Sequence, residues 1–413
     1  TDGGEMSNSV EAMFNLPVSD KLALRGVVYT DNQGGYIDNV AGTVTVEESA
    51  RFRPAGTIRD NGLVVSPGRA GFQAGADLSG VTFIPADNSS IVENDFNDTV
   101  YSGFRLSAAY EFNSEWSLLV SHARQQLDTE GVFFADPELE DYDIRRFSDD
   151  DIEDKYHNTS WTLEGRIGML EAVYTGAYTD RTTEQTVDYT DYLFVGQYLP
   201  YYICDGSVTY PGSAGPTGTC QASDLFVDSL TELKVETHEL RFNTPAENRF
   251  RATFGGFYSD LELLERNDFT YPGSRFALGF NGGAGFPDNF PLTNTAVTGE
   301  IGSASPGFFS DPGPFPESAI FRNDVLRTDE QLGVFGEATF DLNEQFAVTF
   351  GARWYDIEVD LEGSANSSFF NLGQATDQQR AGTNISAQFA PNNPFGAPDT
   401  ASTDGPIYKL PGT

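Results

Sequence analysis

The sequence is short of basic residues, sulfur and long apolar runs, and each shortage excludes something. Lys and Arg number 24 against 62 Asp and Glu, for a net charge of −38. A nucleic-acid backbone needs a Lys/Arg surface, so nucleic acid is excluded as a partner. No apolar run approaches the ~20 residues of a membrane-spanning helix. That leaves a β-barrel open, because barrel strands alternate and their average hydropathy stays polar. The opening residues TDGGEMSNSV carry neither a basic nor an apolar signal region. Catalytic signatures are absent too: no phosphate loop, no GxSxG elbow, no HExxH. GFNGGAGF, residues 279–286, is Gly-rich but has no strand-to-helix context. No enzyme and no cofactor are expected.

The only cysteines are Cys204 and Cys220. Free thiols, part of a metal site and a disulfide are the alternatives. No His lies near them, and His122, His157 and His238 are scattered, which speaks against zinc. The favoured reading is a disulfide closing a loop in an oxidising compartment. No metal site is expected.

What is abundant is Gly, Phe and Tyr, at 42, 33 and 18 residues. That composition favours strands and loops over helices. Apolar residues recur with period two, in pairs of segments joined by tight turns. Val10, Ala12, Phe14 and Leu16 alternate with Ser9, Glu11 and Asn15; after PVSD, Leu22, Leu24, Gly26 and Val28 flank Arg25. Phe104, Leu106, Ala108, Tyr110 and Phe112 alternate with Arg105, Ser107 and Glu111, and Trp116, Leu118 and Val120 return. Trp161, Leu163 and Ile167 alternate with Glu164 and Arg166, and the chain turns near Gly168. Leu240 and Phe242 oppose Glu239 and Arg241, and Phe250, Ala252 and Phe254 oppose Arg251 and Thr253. Leu332, Val334, Ala338 and Phe340 precede a turn, and Val348, Phe350, Ala352 and Trp354 follow, opposing Arg353.

These are five hairpins, hence ten strands of about ten residues each. Long connections separate them, over 32–99, 127–157, 182–229, 262–328 and 362–413. Alternating short turns and long loops, with aromatics such as Phe112, Trp116, Phe340 and Phe346 near strand ends, is the outer-membrane barrel pattern. The expected fold is all-β: a transmembrane antiparallel barrel, here a partial barrel with long extracellular loops. Phe104, Leu106, Phe254, Val348 and Phe350 are expected to face lipid, and Arg105, Glu164, Glu239, Arg251 and Arg353 the lumen.

Three segments carry a more specific resemblance. ETHELRFNTP with FRATFGGFYSD, VFGEATFDLNEQFAVTFGARWYD, and LPVSDKLALRGVVYTDNQGGYIDN together resemble barrel hairpins of TonB-dependent receptors, in matching order. The loops match nothing. The resemblance implies active import of a scarce nutrient, such as a ferric siderophore or similar chelate, across the outer membrane of a Gram-negative cell. It implies TonB–ExbB–ExbD as partner, through a plug, and outer-membrane lipid around the wall. No TonB box, plug or terminal aromatic strand is found, so residues 1–413 are expected to hold about strands 2 to 11 of some 22. The alternatives are a passive porin and a soluble extracellular β-rich adhesion protein.

Two loop features stand out. Asp136–Lys155 is strongly acidic and reads as a solvated surface loop, with cation chelation as the alternative; it lacks EF-hand spacing. Asp188–Gly206 holds Tyr189, Tyr192, Phe194, Tyr198, Tyr201 and Tyr202. These aromatics either contact ligand or fill the inside of their own loop.

Overall fold

Alternation this regular leaves each segment one apolar and one polar face, which only a sheet can satisfy. The computed structural model describes residues 3–68, 70–71, 73–278, 316–367 and 382–384. The long strands are β1 (Asn8–Ser19), β2 (Leu22–Gln33), β3 (Thr99–Asn113), β4 (Trp116–Glu130), β5 (Asp151–Ile167), β6 (Leu170–Asp188), β7 (Phe226–Asn243), β8 (Phe250–Thr270), β9 (Ala319–Asp341) and β10 (Ala347–Ser367). A three-residue β11 (Gly382–Asn384) pairs with the end of β10. The eleven form one sheet in chain order, and every pairing is antiparallel. The five expected hairpins are therefore present.

Local chemistry sets the turns. Asn113 Oδ1 accepts from the Glu115 and Trp116 amides at 2.8 and 3.1 Å. Asn343 does the same for Gln345 and Phe346 at 2.8 and 3.0 Å. Gly168 supplies the left-handed residue of its turn, at φ +63°. Within the sheet, the Phe14 ring lies over Gly26 and the Trp116 ring over Gly165. A side chain at either glycine would displace that ring.

The strands exceed the expected length. They run from 12 residues in β1 to 23 in β9, and the connections shrink to 34–98, 131–150, 189–225 and 271–318. The extra residues lie toward the long loops, where both faces are polar and periodicity gives no signal. Cross-strand ion pairs continue the ladder there, such as Arg181 with Asp154 at 2.6 Å.

Register shows how the faces sort. Leu22, Tyr110, Leu118, Leu163, Tyr174, Leu240, Gly256, Val334 and Trp354 are successive direct partners across nine strands, all apolar. On the other face, Arg25, Ser107, Ser121, Ser160, Ala177, Thr237, Ser259 and Gln331 are successive partners, mostly small and hydroxylic. Phe104, Leu106, Phe254, Val348 and Phe350 share the apolar face; Arg105, Glu164, Glu239, Arg251 and Arg353 share the polar one. Trp116, Trp161 and Trp354 are all on the apolar face. In β8 that face runs from Phe250 to Tyr258. Nine residues at ~3.4 Å rise and ~40° tilt span about 23 Å in height, close to a barrel's ~25 Å apolar band.

The sheet is open. Every residue of β1 is exposed, and among the described residues no backbone pairing joins β1 to β10. The main apolar core lies in the loops. Val46, Phe52, Leu193, Ile203, Val208 and Leu225 are buried together there.

Candidate functional site

The loops gather at one end of the sheet into a single layer. Short bridges join them, Asp38–Asn39 with Asp143–Ile144 and Val81–Phe83 with Gly218–Cys220, while Thr43–Val44 pairs with Ala86–Asp87 inside the first loop. Phe269 and Phe321, on the polar face of β8 and β9, pack against each other at 5.3 Å, and Phe269 meets Tyr189 at 5.3 Å. The layer thus folds over the loop-side end of the polar face.

Cys204 and Cys220 are joined by a disulfide, with Cα atoms 3.9 Å apart, and both are buried in the loop core. Asp205, next to it, accepts from the Thr219 amide at 2.7 Å and the Leu278 amide at 2.8 Å. One carboxylate therefore ties the disulfide loop to the segment after β8.

The acidic segment is not simply a solvated loop. Arg146 is buried and donates to Asp150 at 2.6 and 3.0 Å and to the Asp188 carbonyl at 2.8 Å. Asp188 in turn accepts from the Phe147 and Ser148 amides. A buried guanidinium needs such partners, and a buried carboxylate needs donors, so the segment folds inward at this point. Burial pushes the Asp150 carboxyl up, against the pull of Arg146. Burial opposes the charge on Arg146, yet Asp150, Asp188 and Asp191 hold it above its ordinary value. Arg146 and Asp150 also line an open cavity of about 540 Å³, together with Glu93, Asp128, Glu130, Asp149, Asp151 and Glu153. Burial, with Asp98, Glu93, Asp151 and Asp149 nearby, raises the Glu130 carboxyl. Among the described residues no group of His, Cys, Asp or Glu is arranged to hold a metal ion.

The loop aromatics divide. Tyr189 stacks on Tyr192 at 5.2 Å, Tyr192 and Tyr202 meet Tyr271 at 6.5 and 5.4 Å, and Phe194 packs on the loop core. Tyr201 lies 5.3 Å from Tyr210 and beneath the buried Arg51 guanidinium at 3.9 Å. Tyr198 is the outward member, 55% exposed, with Tyr210 at 42%. Arg51 and Tyr271 belong to this assembly but carry no sequence signal, since they come from distant segments; Tyr210 lies in the same loop, just past the aromatic run. The Gly-rich stretch at 279–286 lies outside the described residues.

On the polar face, three open concavities have volumes of about 590, 360 and 280 Å³. The first is lined by Glu111, Glu164 and Arg166, the second by Arg25, Tyr29 and Arg105, the third by Phe257, Arg353 and Tyr355. The charged and hydroxylic groups lining these concavities can bind and orient polar groups.

No family model matches the chain, and no curated protein matches it. Solved structures do. One is the ferric yersiniabactin uptake receptor FyuA from Yersinia pestis, at 9% identity and TM-score 0.46, over 88% of this chain and 43% of that one. Another is the ferric enterobactin receptor PfeA from Pseudomonas aeruginosa, at 12% identity and TM-score 0.40, over 87% and 38%. A third is the ferric citrate transporter FecA, at 12% identity and TM-score 0.40, over 87% and 39%. The chain spans less than half the length of each of these receptors.

Proposed function

We propose that this chain forms part of the wall and outer loop layer of an outer-membrane receptor that imports a scarce nutrient, a ferric siderophore or similar chelate. The observation that carries this reading is the unbroken apolar row across nine strands, backed by a polar row on the opposite face. In water such a face would need a covering layer, and among the described residues the loop core lies against the other face. In a Gram-negative outer membrane, lipid covers it. The edge of β1 supports the partial-barrel reading, because a bilayer cannot satisfy its free N–H and C=O groups. In this account further strands pair at the two edges, residues 1–413 hold about the second to eleventh strands, and a plug fills the lumen and couples to TonB–ExbB–ExbD. Loop aromatics, with Tyr198 the most outward, contact the ligand; Tyr189, Tyr192, Phe194, Tyr201 and Tyr202 shape the layer beneath.

The test is uptake by cells carrying or lacking the gene, using radiolabelled ferric chelates. Uptake that stops when the proton gradient is collapsed supports the receptor. Flux that persists identifies a passive porin. Recovery of the protein in the aqueous phase, free of membranes, identifies a soluble adhesion protein.

A further inference from the structure

On the polar face, arginines are generally paired where they occur: Arg241 with Glu239 at 3.4 Å, Arg251 with Asp341, and Arg166 with Glu171 at 3.8 Å. Among the described residues, Arg353 on β10 stands without an ion pair, and so do Arg25 and Arg105, which alone among these arginines lie side by side. Arg25 sits opposite Ser107 and Arg105 opposite Val27, so they are diagonal neighbours on adjacent strands, about 7 Å apart by sheet geometry. Among the described residues neither has a carboxylate within ion-pair reach. Both line the 360 Å³ concavity, with a third arginine, Arg124, with Tyr29, Gln125 and Tyr156, and with a single acid, Glu11. The Tyr29 hydroxyl and Gln125 Oε1 are 2.7 Å apart, which fixes that side of the concavity. By register the site lies level with Leu24, Gly26, Phe104 and Leu106, deep within the apolar band.

Two adjacent positive charges repel each other, and this chain carries a net charge of −38. A charge at this depth must face water or a partner of opposite charge. We propose that Arg25 and Arg105 form an anion-binding station on the inner wall, taking a carboxylate or phosphate group. The fork of donors on each guanidinium suits such a group, and small neighbours such as Ser107 and Ala123 leave room for it. The proposal rests on the membrane reading of the polar face as luminal. Two sources share this chemistry: a solute in the lumen, or a carboxylate of a luminal domain.

The test uses the protein in isolated outer membranes. Cys204 and Cys220 are disulfide-bonded and the described residues include no free cysteine, so Arg25→Cys introduces a reactive thiol. Its reaction with anionic and cationic methanethiosulfonates is timed with Arg105 intact and as Arg105→Gln, before and after urea treatment. One charge ~7 Å away in water changes each rate about threefold, and hence the anionic-to-cationic ratio about sevenfold. A ratio that falls by that factor in native membranes, with inorganic phosphate slowing the anionic reagent, supports a solute anion. The same fall seen only after urea supports a carboxylate of a luminal domain. A ratio indifferent to Arg105 in both conditions, or a thiol unreactive in both, overturns the station. Leu106→Cys is the control for the underlying reading: aqueous reagents reaching it in intact membranes would defeat the membrane assignment instead.

Discussion

Leu240→Arg puts a charge into the middle of the apolar row. Leu240 is on β7, flanked directly by Tyr174 and Gly256, and its side chain is 45% exposed. In water, an arginine at such an exposed site would change stability within ~0.5 kcal/mol. Facing lipid near the midplane, it costs about 2–4 kcal/mol. At ~1.4 kcal/mol per factor of ten, that lowers the folding equilibrium constant by roughly 30- to 700-fold. Thr237→Arg is the matched control, on the same strand but in the polar row between Ala177 and Ser259; it should cost almost nothing. Urea titration of the purified protein in phospholipid vesicles, followed by tryptophan fluorescence, reads both values. Equal costs for the two variants, or a larger cost for Thr237→Arg, would refute the assignment of the faces.

The remaining predictions concern the loop layer. Replacing Cys204 and Cys220 by Ser should destabilise the layer by about 3 kcal/mol in the chain-entropy model; faster proteolysis of residues 34–98 and 189–225, with the sheet still protected, is the expected readout. Arg146→Met should cost about 3–5 kcal/mol, because it leaves Asp150 buried without its cation; hydrogen exchange across 143–150 and 188–190 measures it, and unchanged protection would count against the knot. Burial raises the carboxyls of Glu130, Asp143, Asp150 and Asp151, all at the loop end. A raised folded pKa means the proton favours the folded layer. Their stabilising contribution is complete below the ordinary carboxylate range and is lost as pH rises through the folded values. Corrected for intrinsic rates, loop exchange should therefore quicken as pH rises from the ordinary carboxylate range, and exchange that slows over that rise would contradict this.

The sheet was legible because a strand sorts its residues by parity, so Phe254 and Arg251 announce opposite faces without knowledge of their partners. Strand ends were not legible. Beyond the apolar band both faces are polar, and what continues β5 and β6 is the contact of Asp154 with Arg181, which no local pattern encodes. The loop layer was hidden for a similar reason. Val81–Phe83 pairs with Gly218–Cys220, and Arg51 lies over Tyr201; neither partnership leaves a trace in local sequence. An acidic run looks solvated unless the buried arginine inside it is matched to Asp188 on another strand. The aromatic count of residues 189–202 was plain, but whether a ring points inward or outward depends on partners such as Phe269 and Tyr271.

The central claim is that one face of the sheet meets lipid and the other meets water. A nitroxide scan of β7 from Thr237 to Phe242, in membranes, tests it most directly, by comparing collision rates with oxygen and with a water-soluble nickel chelate. The account predicts period two: high oxygen and low nickel accessibility at His238, Leu240 and Phe242, and the reverse at Thr237, Glu239 and Arg241. Uniform nickel accessibility, or alternation of the opposite phase, would contradict it.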